Sequence, residues 1–459
     1  MGAGLARSTG VAGASRVRGG GTGDALRSPG RDVRLIVVSR AARGLAFGYL
    51  AVVLGVELRR RGLSAALAGV VLSAFVGGAT LSLIAVRRYG DRLGRRRVCF
   101  AGYVLQAAAG VVLVVSSSWW LLALVGLSGS LSAEVVDASP FGALEQVMIA
   151  STVDGHRHLR SFGCTGAVGA AAGSLGALGA GIVDLGGEHA GTGPMFMPII
   201  ICAVIGAVCA RSLSAAVEPV AAASLARSDR QPATSAGRSR SSGAVVGRLS
   251  ALFALDSFGA GFTVQAFVAY WLQARYGAGP LAIGSIFFAV GILHSVSMGI
   301  AVRLGERFGI LVTMVFTHLL SNGFLVALAF APSLPVAAVL LCLRAASSEM
   351  DVPTRQAYVM ALVPPQERTW AAGTTTLARA MARPAGPALA GLAQSVTLGA
   401  PFIISGGLKA AYDVSVWAWF RRVPLVADVP SARLPGAAAA GAAVAVPGPV
   451  RDPHTAGAG

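Results

Sequence analysis

Twelve apolar runs, each long enough to cross a membrane, constrain the fold of this chain more than any other feature of its sequence. Of the 459 residues, 54% are hydrophobic and only 13% are charged, whereas a soluble domain has about 25% charged residues. So few charges cannot cover a water-soluble core, and lipid must therefore surround much of the chain. Because a span needs about 20 apolar residues, each run predicts one transmembrane helix. The predicted spans are residues 35–58, 64–86, 98–117, 119–140, 160–183, 195–215, 249–273, 280–302, 310–331, 334–352, 369–392 and 401–420.

The runs fall into two groups of six with a polar stretch between them. We expect a first six-helix bundle at residues 35–217, a linker at 218–247 and a second bundle at 248–422. The linker is rich in Ser, Ala and Arg, a composition typical of flexible linkers. The tails at 1–34 and 423–459 are rich in Gly and Ala and are expected to be disordered. The predicted fold class is an all-α membrane protein with twelve transmembrane helices in two bundles.

The Arg residues predict the orientation of the chain in the membrane. An even number of spans places both termini on one side. The loop between spans 2 and 3 carries six Arg and the linker carries four more, so the positive-inside rule predicts cytoplasmic termini and a multi-pass protein of the cell inner membrane. The run Arg59–Arg61 opposes this assignment but is outnumbered. Because the basic residues cluster in loops, the net charge of +18 does not indicate nucleic-acid binding.

A short charged hairpin occurs twice, at corresponding places in the two groups of spans. Gly90–Gly94 reads GDRLG and Gly305–Gly309 reads GERFG, 215 residues later. The similarity extends to Ser132–Pro140 (SAEVVDASP) and Ser347–Pro353 (SSEMDVP). Such a repeat indicates a duplicated, pseudo-symmetric bundle. In transporters built this way, the substrate site lies near the membrane midplane between the halves.

The first hairpin, RRYGDRLGRRRV, resembles motif A of the major facilitator superfamily, Gly-x-x-x-Asp-Arg/Lys-x-Gly-Arg-Arg/Lys. Arg87 stands in place of the leading Gly, and the other motif positions match. The resemblance implies a transporter in which this hairpin holds the two halves in one conformation, against the start of span 11. The alternative is that the basic residues bind anionic lipid. The residues assigned to this latch are Gly90, Asp91, Arg92, Gly94, Arg95 and, in the second copy, Glu306.

Ionisable side chains inside the spans are functional candidates, because a charge in lipid is expensive. By the packing that the resemblance implies, spans 1, 4, 7 and 10 line the central cavity, and they hold most of this charge. One carboxylate, Glu134 or Asp256, is expected to carry a proton, because an apolar cavity favours the protonated form until an Arg approaches. A static salt-bridge cluster is the alternative. The candidates for the substrate and proton pathway are Arg40, Arg43, Glu134, Asp137, Asp256, Gln265, Arg344 and Glu349.

Five further assignments of ionisable residues follow from sequence, and for three of them two interpretations stay open. Arg40 and Arg43 either attract an anionic substrate or extend to the interface and pair with a carboxylate. Lys409 and Asp413 lie four residues apart and are expected to pair on one helix face. His318 is expected to be a hydrogen-bonded packing residue, with a role as proton carrier as the alternative.

The sequence favours a secondary transporter over an enzyme. No nucleotide-binding Gly-x-x-x-x-Gly-Lys-Ser/Thr loop is present, and neither a catalytic set, a metal cluster nor a cofactor loop is recognisable. The favoured function is proton-coupled export of a small organic molecule such as a drug or secondary metabolite. The alternatives are uptake of a small organic anion and a transport-inactive sensor or scaffold. The expected partners of this monomer are its substrate, protons and the lipid bilayer.

Overall fold

A computed structural model describes residues 29–116, 118–134, 140–152, 155–184, 193–214, 217–218, 240–348, 350–364 and 367–421. The regular structure of these residues is entirely helical, with a single turn of 3₁₀-helix at Gly193–Phe196. The α-helices are α1 (Pro29–Arg60), α2 (Ala65–Leu93), α3 (Arg95–Val115), α4 (Trp119–Leu127), α5 (Pro140–Thr152), α6 (Gly155–Asp184), α7 (Met197–Ser212), α8 (Arg240–Gly261), α9 (Gln265–Tyr276), α10 (Pro280–Phe308), α11 (Ile310–Leu328), α12 (Leu334–Ser348), α13 (Asp351–Leu362), α14 (Arg368–Ala382), α15 (Ala385–Val396) and α16 (Ala400–Phe420).

The helices follow the twelve predicted spans, and the predicted fold class is confirmed. Eight spans are single helices, whereas spans 4, 7, 10 and 11 each consist of two: α4 and α5, α8 and α9, α12 and α13, α14 and α15. The sequence explains two of the breaks. Gly129 has a φ of +66°, which ends α4, and Pro384 ends α14 because a proline ring disfavours helical geometry before it. Eight stretches of described helix are each long and apolar enough to cross a membrane.

Several boundaries differ from the predicted ones. α1 begins at Pro29, six residues before the predicted start of span 1, and α8 begins at Arg240, within the predicted linker. At each repeated hairpin, a single residue connects the two helices, where a longer loop was predicted. α2 continues to Leu93, and Gly94 alone separates it from α3, with a φ of +89°. Gly309 separates α10 from α11 in the same way, with a φ of +88°. The two halves therefore share this backbone geometry as well as the sequence.

Glycines allow α1 and α6 to pack closely within the first half. A Cβ atom added to Gly48 would lie 1.8 Å from the carbonyl oxygen of Gly173. A Cβ atom added to Gly44 would lie 2.5 Å from the carbonyl oxygen of Gly169. In lipid, such close contacts between small residues replace the hydrophobic effect as a source of helix association.

The two halves contact each other mainly away from the side on which α1 and α8 begin. Here α1 packs on α9, α2 on α15, and α6 on α10. A Cβ atom on Gly55 of α1 would lie 2.2 Å from the carbonyl oxygen of Ala266, and one on Gly69 of α2 would lie 2.3 Å from that of Pro387. We call this closed region the outer seal. It is packed backbone against backbone.

The outer seal predicts that one added methyl group separates the halves. A Cβ atom at Gly69 would lie 2.3 Å from the Pro387 oxygen, whereas one at Gly77, two turns along the same helix, would lie 3.7 Å from its nearest neighbour, Pro384 Cβ. Gly69→Ala should therefore open the seal, and Gly77→Ala should not. The measurement is labelling of a cysteine introduced at the buried Ala266 by a membrane-impermeant maleimide, in a chain without its five native cysteines.

We expect several-fold faster labelling in the Gly69→Ala variant and an unchanged rate in the Gly77→Ala control. Equal labelling rates in the two variants would show that the contact between α2 and α15 does not keep this side closed.

Candidate functional site

A cavity of about 290 Å³ lies between the two halves. The first half contributes α2 and the segment 132–134, and the second half contributes α8, α14 and Arg383. One wall is apolar and the other carries hydroxyl and charged groups. The lining residues are Phe75, Val76, Ala79, Thr80, Leu83, Ser132, Ala133, Glu134, Ser257, Thr376, Arg379, Ala380 and Arg383. Because both halves form its walls, a relative movement of the halves changes the cavity.

An ion pair between Glu134 and Arg383 crosses this cavity from one half to the other. The Oε1 atom of Glu134 accepts a hydrogen bond from Nη2 of Arg383. Neither side chain is fully buried, since 16% of the Glu134 side chain and 27% of the Arg383 side chain are exposed. Glu134 lies in the irregular segment after α4, and Arg383 lies at the break between α14 and α15. Both charges are thus placed by interruptions in a span.

Arg379 connects the cavity to the buried Asp256 of α8. Nη1 of Arg379 lies 3.2 Å from Oδ2 of Asp256, and Nη1 of Arg355 lies 3.4 Å from the same oxygen. Nζ of Lys409 lies 2.7 Å from Oδ1, and Nε2 of His318 lies 3.6 Å from it. Because α11, α13, α14 and α16 each bring a basic side chain to Asp256, this carboxylate joins four helices of the second half.

The cluster continues from His318 to Asp413. Nδ1 of His318 lies 2.8 Å from Oδ1 of Asp413, and Nδ2 of Asn322 donates to Oδ2 over 2.8 Å. Lys409 and Asp413, predicted to pair with each other, instead contact Asp256 and His318, because neighbouring helices present closer partners to both. His318 has the hydrogen-bonded packing position that the sequence favours.

The first half contains a second buried charge cluster, around Glu145 of α5. Nη1 of Arg43 lies 2.6 Å from Oε1 of Glu145, and Nη1 of Arg40 lies 2.9 Å from Oε2. Nη1 of Arg43 also donates to the Tyr103 hydroxyl over 2.8 Å. Arg43 and Glu145 are each 1% exposed. Of the two interpretations, the structure therefore places both arginines against a carboxylate of their own half.

The two clusters occupy corresponding helices with the charges reversed. In the first half, span 1 supplies the cation Arg43 and span 4 supplies the anion Glu145. In the second half, span 7 supplies the anion Asp256 and span 10 supplies the cation Arg355. Each cluster therefore joins the first and the fourth span of its own half.

The remaining pathway candidates lie away from the cavity lining or outside the described residues. Gln265 is the first residue of α9, and Arg344 lies in α12, where its carbonyl oxygen accepts a hydrogen bond from Ser347. Neither residue lines the cavity between the halves. Asp137 and Glu349 lie outside the described residues.

At the first hairpin, Asp91 contacts its own half of the protein. Its Oδ1 atom accepts a hydrogen bond from Nε of Arg95 over 3.0 Å, and 60% of its side chain is exposed. The carboxylate of Glu218 caps the start of α3, accepting from the backbone N–H groups of Arg95 and Arg96 over 2.8 and 3.0 Å. The contact of Asp91 with the start of span 11 stays a prediction. Of the other predicted latch residues, Gly90 is buried, Gly94 ends α2, and Arg92 and Glu306 are exposed.

Four charged residues of these clusters were not predicted from the sequence, namely Glu145, Arg355, Arg379 and Arg383. Glu145 lies beyond the predicted end of span 4, which continues as α5 to Thr152. Arg379 and Arg383 lie inside predicted span 11, which the family packing does not place at the cavity. The sequence signal that could have identified them was the presence of a charged residue inside a predicted span.

No family model matches this chain. It is 25% identical over 415 residues to the uncharacterized membrane protein YJR124C of Saccharomyces cerevisiae, covering 84% of this chain and 93% of that protein. A D-xylose-proton symporter superposes with a TM-score of 0.66 at 15% identity, covering 86% of this chain and 98% of the symporter. The human organic anion transporter MFSD10 superposes with a TM-score of 0.58 at 18% identity, covering 84% and 99%.

A bacterial homologue of the human lysosomal transporter Spinster, in an inward-facing and unoccupied conformation, gives a TM-score of 0.62 at 14% identity, covering 85% of this chain and 95% of that protein. These structures have the major facilitator superfamily fold. The chain therefore has that fold and is a multi-pass membrane protein, as the resemblance of its first hairpin implies.

The geometry predicts different effects for the same substitution at two glutamates. Glu145→Gln leaves Arg43 buried without a counter-charge, and breaking a buried pair costs about 3–5 kcal/mol. Glu134→Gln removes the charge from one partner of a partly exposed ion pair and should lower the free energy of unfolding far less. We expect a clearly lower Tm in detergent for Glu145→Gln and a Tm close to that of the parent chain for Glu134→Gln. An equal loss of Tm would contradict the assignment of Glu145 to structure and Glu134 to the cavity.

Proposed function

We propose that this chain, which has the major facilitator superfamily fold, is a secondary transporter that carries a small organic molecule through the cavity by alternating access. We assign proton coupling to Glu134. The observation that carries this proposal is the ion pair between Glu134 and Arg383, which joins the two halves across the cavity. A change in the charge of Glu134 acts directly on the contact that must break when the halves move apart.

Glu134 suits this role better than Asp256, the other carboxylate that the sequence favours. Asp256 is 2% exposed and has Lys409, Arg355 and Arg379 within 3.4 Å. Protonation there would leave Lys409, Arg355 and the partly exposed Arg379 without their shared counter-ion. Glu134 is partly exposed and lines the cavity, so a proton reaches it without disturbing a buried cluster.

The packing of the outer seal supports alternating access. The seal consists mainly of close contacts between small residues, with hydrogen bonds from the Tyr270 hydroxyl to the Leu63 oxygen and from the Ala388 N–H to the Ser73 hydroxyl, so its separation breaks mostly dispersion contacts. We propose that the hairpin at Asp91 stabilises the opposite state, by contacting the start of span 11 when the side of the termini closes. We place that side in the cytoplasm, following the distribution of Arg residues, with residues 218–247 as the cytoplasmic linker of a monomer.

The direction of transport depends on whether the substrate and the proton occupy the cavity together or in turn. Proton-driven export, which the sequence favours, requires that they exclude each other. Proton-driven uptake requires that they bind at the same time. Two of the structural neighbours are named for xylose and for organic anions, which supports a small organic solute without choosing between the two directions.

The test is proton movement in proteoliposomes that contain a pH-sensitive dye, challenged with a panel of cationic, neutral and anionic organic molecules. We expect a substrate-dependent pH change, whose sign separates uptake from export. Glu134→Gln should abolish this proton-driven flux and spare the exchange of substrate across the membrane, because exchange needs no change in the charge of residue 134.

Arg303→Gln is the control, since Arg303 is an exposed residue of α10 that does not line the cavity. Normal proton-driven flux in the Glu134→Gln variant would remove Glu134 from the mechanism. Absence of any flux across the panel, with folded protein in the vesicles, would favour the transport-inactive sensor or scaffold.

A further inference from the structure

We propose that Arg383, together with Arg379, binds the carboxylate of an amphipathic organic anion, and that this anion enters the cavity together with a proton on Glu134. The proposal rests on the proposed transport function and deepens it by naming the class of substrate. It assigns a binding role to two residues of span 11 that the sequence analysis did not select.

The walls of the cavity differ in polarity. Phe75, Val76, Ala79 and Leu83 form an apolar surface on α2. The guanidinium groups of Arg379 and Arg383 belong to the opposite wall, with the hydroxyl groups of Ser257 and Thr376 nearby. A molecule that fits both walls has an apolar body and a single polar head. The volume of about 290 Å³ suits a compact molecule.

The charges of the described residues favour an anionic head. The cluster that includes the cavity contains the cations Arg355, Arg379, Arg383 and Lys409. Two of these cations, Arg379 and Arg383, line the cavity itself, whereas Glu134 is the one carboxylate among its described lining residues. This field attracts organic anions and repels organic cations.

Arg383 has an unused donor. Its Nη2 atom donates to Glu134, while its Nε atom is buried and has no hydrogen-bond acceptor among the described residues. Buried donors without a partner are rare in native proteins, because each one forfeits a hydrogen bond to water. A guanidinium group binds a carboxylate best through two parallel N–H donors. A ligand carboxylate that displaces Glu134 would find Nη2 and this Nε on one edge of the guanidinium group, as a pair of parallel donors.

Binding of an anion at Arg383 affects Glu134 directly. A carboxylate that takes over Nη2 leaves Glu134 without its cation, next to a second negative charge. Proton uptake by Glu134 removes that repulsion, so each bound anion favours one bound proton. For a monocarboxylate, the anion and the proton together add no net charge to the cavity. An inward proton gradient then drives uptake of the anion.

Equilibrium binding to the purified full chain in detergent tests this inference independently of transport. The probes are phenylacetate and hexanoate, each compared with its amide and with the amine of the same length. We expect the carboxylates to bind at least tenfold more tightly than the amides, and the amines not to bind. Their affinity should rise as the pH falls, by up to tenfold per pH unit, because one proton is taken up with each anion.

Two variants and one control separate the roles of Arg383 and Glu134. Arg383→Gln should abolish carboxylate binding, whereas Arg303→Gln, which removes an exposed arginine of α10, should leave it unchanged. Glu134→Gln should bind carboxylates tightly at every pH, because residue 134 no longer competes for Arg383. This gain of affinity in the Glu134→Gln variant cannot arise from misfolding.

The inference is overturned if amides or amines bind with the same affinity as carboxylates, or if neither carboxylate binds. It is also overturned if the affinity for carboxylates still depends on pH in the Glu134→Gln variant. Binding without proton-driven flux in proteoliposomes would contradict the proposed transport function and leave the anion site intact. Flux of a neutral molecule or a cation, in a protein that does not bind carboxylates, would support the proposed transport function and contradict the anion site.

Discussion

The arrangement of this protein depends on one constraint: a charge inside a membrane has no water to solvate it and must find its partner in the protein. The described carboxylates of the bundle meet this constraint in different ways. Glu145 and Asp256 are each enclosed by basic side chains of their own half. Glu134 finds its partner in the other half, across the cavity. A charge satisfied inside one half fixes that half, and a charge satisfied across the interface makes the interface sensitive to protonation.

Close backbone packing is the second element of the design. Gly48 of α1 lies against Gly173 of α6 within the first half, and Gly69 of α2 lies against Pro387 of α15 between the halves. Inside a half, close packing combines with buried ion pairs into a rigid unit. Between the halves, the described contacts of the outer seal include close packing but no buried ion-pair cluster. The same type of contact thus holds one half together in one place and, in the cycle that we propose, closes one side of the cavity in the other.

The fold was predictable because its signals are local: apolar runs of spanning length and a repeated charged hairpin. The site was less so. Glu134 and Asp256 were predicted as important, but Arg383 and Arg379 were not, since their positions depend on where span 11 breaks and on which helices meet at the cavity. Glu145 was missed because α5 extends span 4 beyond its predicted end. The pairing of Lys409 with Asp256 spans 153 residues, and no local pattern encodes it.

The interruption at Arg383 and Pro384 divides span 11 into two segments with different attachments. α15 is held against α2 by the contact of Gly391 with the backbone of Ala65, while α14 is tied through Arg379 to Asp256 of α8. The two segments therefore have different main partners on either side of the proline. In the alternating-access cycle that we propose, the contact of α15 with the first half can break while the contact of α14 within the second half persists. A helix divided in this way would permit an occluded stage, in which a molecule is shut off from both sides of the membrane before either side opens.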